Sequence, residues 1–173
     1  MKTSFQAPVR LAAILALAIL LNLTTQTVRG AEVNDNIYNY LQLLRSDVNS
    51  LKVELVNSIM KLSTDDAKKF WPIYREYENE LGNLAIKRAE LIAEFVKSHK
   101  EGTFNNPAAK DIAKRWFKSQ RARLDLLEKY HGKIEKTLTS VQAGQFLQIE
   151  NQIGLFIDIT IASEMPAVGS KPK

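Results

Sequence analysis

Two stretches of this chain follow one frame: Leu62–Phe70 reads LSTDDAKKF and Leu138–Phe146 reads LTSVQAGQF. Each copy has Leu, a hydroxyl residue, two free positions, Asp or Gln, Ala, two free positions and Phe. The frame constrains the fold because it spells the start of a helix. Ser63 or Thr139 serves as the N-cap, its hydroxyl accepting from the third helical N–H. Asp66 or Gln142, three residues on, can reach back to the cap's own N–H. Leu62 and Leu138 precede the caps, where a hydrophobic staple would pair them with Ala67 and Ala143; such small partners make a weak staple. Phe70 and Phe146 then lie on the face that follows. Two corners built alike imply repeated helix–turn–helix geometry.

The rest of the pattern is helical. Ile37, Leu41, Leu44, Val48, Leu51, Leu55, Ile59 and Leu62 alternate steps of four and three, which predicts a first helix from about residue 34 to residue 62. At ~1.5 Å per residue it is long for a chain of this size. It reads either as one wall of a helical hairpin or as a dimer seam. A second helix, about Thr64–Ser98, carries Phe70, Tyr74, Tyr77, Leu81, Leu84, Leu91 and Phe95 on one face. Pro72 lies inside it, where a missing N–H predicts a kink. Phe70, Trp71, Tyr74 and Tyr77 cluster at that bend, as core or as a client-binding patch. Residues 97–106 read as the main loop, and Asn106 caps a third helix with Pro107 at its first position. The third helix runs to about Thr137 through Ile112, Trp116, Gln120, Leu124, Leu127, Tyr130 or His131, Ile134 and Leu138. The second corner opens a fourth helix, about Ser140–Ser163, with Phe146, Ile149, Ile153, Phe156, Ile157, Thr160 and Ile161 as its apolar face. Gly144 and Gly154 weaken it by about 1 kcal/mol each against Ala.

The corners carry a resemblance. Leu138, Thr139 and Gln142 match in full the motif of the LTxxQ proteins of the Gram-negative periplasm, the group that includes the Spy chaperone and the CpxP stress protein. Leu62, Ser63 and Asp66 match it with Ser for Thr and Asp for Gln. The resemblance covers the chain from the first helix to the start of the last. It implies an all-α fold of four long helices in a hairpin arrangement, with two LTxxQ-type corners, dimerising antiparallel into a cradle. It also implies a chaperone-like or envelope-stress function.

Export fits that expectation. Lys2 and Arg10 precede the apolar run 11–23, and Val28 and Gly30 occupy the −3 and −1 positions of a cleavage site. Residues 1–30 therefore read as a signal peptide; a membrane anchor is the alternative, although the run is shorter than the ~20 residues of a spanning helix. This leaves a single helical domain over 31–165 and a polar, disordered tail over 166–173. Removing Lys2, Arg10 and Arg29 lowers the formal net charge from +5 to +2, so the basic precursor overstates any pull on nucleic acid. The chain has no cysteine, which excludes lipoprotein processing, disulfides and thiol chemistry.

No catalytic signature emerges. There is no Gly-rich phosphate loop and no cofactor motif, and the hydroxyls and acids of the corners are used in capping. His99 falls in the expected loop. Glu128, His131 and Glu135 share a helix face at ligand spacing, which an ordinary salt-linked surface shows equally. Metal-responsive members of the resembled group are rich in His and Met, whereas this chain has two His and three Met. The expectation is therefore a binding protein with no enzymatic activity and no cofactor. Its partners would be protein clients or one envelope protein, and it would form a homodimer. Lys114, Arg115, Lys118, Arg121 and Arg123 read either as a solvated face neutralised by glutamates of neighbouring helices or as a basic surface for acidic partners. With Phe70, Trp71 and Tyr74 they are the candidate client-binding residues.

Overall fold

The computed structural model describes residues 52–169, all within the unit Val33–Lys173. The described residues form four helices and no strand: α1 (52–60), α2 (Thr64–Lys100), α3 (Asn106–Glu135) and α4 (Ser140–Glu164). The expected signal peptide, residues 34–51 of the expected first helix and residues 170–173 of the tail lie outside them. None of the described helices is long and apolar enough to cross a membrane.

Both corners start helices where the sequence puts them. At α4 the reciprocal box is complete. The Thr139 hydroxyl accepts from the Gln142 N–H at 3.2 Å, and Gln142 Oε1 accepts from the Thr139 N–H at 3.0 Å. At α2 the Ser63 hydroxyl accepts from the Asp66 N–H at 3.1 Å. Asp66 has a second use: its Oδ2 accepts from Gln142 Nε2 at 3.3 Å. The fifth residues of the two motifs thus bond to each other, and the repeated corners meet. Acids in the first turn of α2 and Lys97, His99 and Lys100 in its last complement the helix dipole.

Some boundaries differ from expectation. The first helix stops at residue 60, because Lys61 takes a left-handed φ of 44°. The second helix passes through Pro72 and continues to Lys100, shortening the loop to 101–105. Gly102 there has φ 68°, a conformation that glycine adopts freely. Asn105, one residue earlier than expected, caps α3: its side chain accepts from the Ala108 N–H at 3.1 Å. The third helix ends at Glu135 rather than Thr137. His99 is a buried residue of α2, its ring 6.1 Å from that of Phe95, and not a loop residue.

The main core joins all four helices. Val56 of α1, Phe70, Tyr74 and Tyr77 of α2, Tyr130 and Ile134 of α3, and Phe146 and Ile149 of α4 are buried together. Tyr77 sits edge-on to Phe146 at 5.3 Å and to Tyr130 at 5.4 Å, the geometry in which ring edges meet electron-rich faces. A smaller cluster of Ile92, Phe95, Val96 and Ile161, with Phe104 and Ile112 against it, fills the other end.

The α1 stripe is rotated relative to the sequence reading, and the α3 stripe departs from it at two positions. In α1 the most deeply buried residues are Lys52, Val56 and Met60, while Leu55 and Ile59 only flank the core. In α3 Leu127, Tyr130 and Ile134 are buried as expected and Leu126 joins them, while Trp116 and Leu124 are exposed. The α3 reading took three successive steps of four from Ile112. At ~100° per residue each such step drifts about 40°, so Leu124 ends about a third of a turn off the inner face.

Candidate functional site

The least expected feature is a buried polar hub on Glu150. Segment 140–163 contains two charged residues, Glu150 and Asp158, and Glu150 lies on the core side, four residues after Phe146 and three before Ile153. Its Oε1 accepts from the Tyr74 hydroxyl and its Oε2 from the Tyr77 hydroxyl, both at 2.9 Å. Lys52 Nζ donates to Glu150 Oε2 at 3.2 Å and to Glu78 Oε1 at 2.7 Å. Lys52 and Glu150 are both buried. Burial, with the Glu150 carboxylate next, pushes both phenols far above the ordinary tyrosine range, so they stay protonated donors. The hub ties α1, α2 and α4 at the level of the aromatic core. Its donors and carboxylates satisfy one another, which suits a structural tie better than proton chemistry.

A second ladder joins α2 to α3 at the surface. Lys133 donates to Glu76 at 2.9 Å, and Lys129 and the Tyr130 hydroxyl each donate to Glu80 at 2.7 Å. These two donors hold the Glu80 carboxyl below the usual carboxylate range. Glu76 holds the Lys133 ammonium above its ordinary value.

The expected basic stripe divides in two. Arg115 is pinned between Glu94 at 2.5 Å and Asp111 at 2.9 Å. Arg123 turns toward α4 and Asp158, at 3.7 Å. Lys114, Lys118 and Arg121, with Lys110 on the same face, are exposed and make no ion pair among the described residues. The aromatic candidates divide as well. Phe70 and Tyr74 are buried in the core, and Trp71 is half-buried beside a shallow notch at the first corner.

Trp116, Phe117 and Leu124 are 43%, 54% and 64% exposed. The Trp116 and Phe117 rings meet edge to face, 5.1 Å apart. Phe117 and Leu124 are seven residues apart, as are Lys114 and Arg121, so an apolar row and a basic row descend α3 side by side. This mixed face is the most distinctive surface among the described residues. The sequence pattern names its cations, turns Trp116 and Leu124 inward and does not place Phe117. Glu128, His131 and Glu135 do not converge, and no group of three or more His, Asp or Glu able to hold a metal occurs among the described residues.

No family model, curated protein or solved structure matches the chain.

Proposed function

We propose that this chain is an exported helical binding protein that holds unfolded or envelope-protein clients, without chemistry, on the outward face of α3. The observation that carries the proposal is the parallel pair of rows on that helix: Phe117 and Leu124, with the Trp116 ring against Phe117, are exposed beside Lys110, Lys114, Lys118 and Arg121, which make no ion pair among the described residues. Apolar area rimmed by Lys and Arg attracts acidic chains at long range and then holds their apolar segments weakly. A helix meant only for solvent has no use for two exposed aromatic rings in contact. The LTxxQ resemblance of the corners and the export signal read in residues 1–30 support a periplasmic, chaperone-like role in a hairpin arrangement of helices. The homodimer belongs to the same proposal. Val141, Leu155 and Ile159 on the outer side of α4 are apolar and exposed and offer a second copy a seat free of charge repulsion.

The test is suppression of aggregation of an unfolding acidic protein by the mature chain, at low and at high salt. Suppression that weakens as salt rises is expected, because exposed charges are screened within about 8 Å at physiological ionic strength. No suppression at several-fold excess, together with capture of one folded envelope protein, would replace general client holding by a dedicated adaptor role.

A further inference from the structure

A cleft of about 150 Å³ lies between α2 and α4, bordered by α1 and α3. Leu81, Leu84 and Ile92 of α2 and Ile153, Ile157 and Ile161 of α4 make its walls mainly apolar. Such walls give a polar guest nothing to bond to and favour a hydrocarbon one. Two charged groups border the cleft. At one end the Lys52 ammonium is held between the carboxylates of Glu78 and Glu150, whose two charges outweigh its one and oppose a further anion there.

The second group is differently balanced. Arg88 and Arg123 both line the cleft, and both lean on one carboxylate that does not line it, Asp158. Arg88 is 2.6 Å from Asp158 Oδ1, and Arg123 only 3.7 Å from Oδ2. Among the described residues, two guanidiniums thus share one acid. Gly154 explains how Arg123 reaches this place: a Cβ there would overlap the Arg123 guanidinium. Glycine inside a helix is disfavoured against alanine, yet it stands where Arg123 crosses α4. Cleft, shared carboxylate and glycine are three separate observations, and they converge on one spot.

We propose that this cleft binds a short aliphatic carboxylate, its chain along the Leu84, Ile92 and Ile157 walls and its carboxylate between Arg88 and Arg123. Guanidiniums suit this task because their planar N–H forks match a carboxylate. A chain of about six carbons fills it, since a dry cavity of this size takes a six-carbon ring, and a slightly longer one can project from its open side. The site is separate from the outward face of α3 and does not depend on client binding there.

The test titrates the chain as expressed with octanoate, 1-octanol and octylamine by calorimetry. Octanoate is expected to bind saturably, one per chain and at least tenfold tighter than octanol, with no binding of octylamine. Arg123→Gln, and Gly154→Ala, which displaces the guanidinium without removing it, should each weaken octanoate at least tenfold and leave octanol unchanged. Circular dichroism confirms that each variant folds. Should a variant not fold, the carboxyl ¹³C resonance of octanoate on the unaltered chain decides: a bound carboxylate that stays ionised at a pH where free octanoate is protonated supports the site. Equal affinity for octanoate and octanol, no saturable octanoate binding, or bound octanoate that titrates like the free acid overturns the proposal.

Discussion

Replacing Glu150 should be among the most damaging single changes in the described structure, and its size can be worked out from the contacts. Glu150→Ala removes the acceptor of two buried tyrosine hydroxyls and one of the two counter-ions of a buried lysine. A buried donor left unsatisfied costs about 1–3 kcal/mol, and breaking a buried ion pair from one side costs about 3–5 kcal/mol. These costs overlap, because Glu78 still holds Lys52 and water can enter the hole. A total of about 4–6 kcal/mol is expected, a large part of the 5–15 kcal/mol typical of a domain. Glu150→Gln keeps an acceptor of nearly the same shape and should cost about 1–3 kcal/mol. Tyr74→Phe in the native background should cost about 1 kcal/mol. In the Glu150→Ala background it should be neutral or stabilising, since it removes an orphaned hydroxyl. Urea unfolding followed by far-UV circular dichroism gives all four values, and the double-mutant cycle isolates the coupling. A Glu150→Ala cost below about 1 kcal/mol, or no coupling to Tyr74, would mean that the hub is not closed as described.

Other consequences follow from the same contacts. Thr139→Ala should lower stability by about 1 kcal/mol, the usual value of a cap, whereas Gln142→Ala should lose both the box and the tie to Asp66 and so depend on whether Asp66 is present. The folded state holds Tyr74 and Tyr77 protonated far above their ordinary range. Above a pH of about 10, where unfolded tyrosine ionises, the unfolded chain therefore binds fewer protons, and stability must fall as pH rises. Alkaline melting curves should show that fall, and it should be smaller in Tyr77→Phe. Glu80 has the opposite sign. Its folded value is depressed, so its contribution is present above the ordinary glutamate range and fades as pH drops through the folded value; Glu80→Gln should flatten the acid limb of the same curves.

What could be read from the sequence was what is settled locally. Caps, the first turn after them and the proline that opens α3 depend on neighbours a few residues away, so both corners were found to the residue and Asn105 was missed by one. Inner and outer faces depend on phase, and phase error accumulates. Steps of four that drift around the helix put Leu124 inside, whereas Trp116 is in phase with buried Ile134 and nevertheless exposed; the exposure of both is what makes the face of α3 a candidate site. The Glu150 hub depends on residues 98 positions apart in the chain, Lys52 and Glu150, which no local pattern records. One signal was nevertheless present: a lone acid on the apolar face of a segment almost without charge must find its partners elsewhere. Gly154 gave a similar hint, as a costly helix residue whose reason, Arg123, lies on another helix.

The central claim, that the outward face of α3 holds clients, is tested most directly by comparing two exposed apolar pairs in one aggregation-suppression assay. Phe117→Ser with Leu124→Ser alters the proposed face. Val141→Ser with Ile159→Ser alters residues on α4 that are 72% and 70% exposed and lack the basic row. Loss of suppression in the first double variant, with suppression retained in the second, is the predicted result. Equal loss in both, or retention in the first, would contradict it.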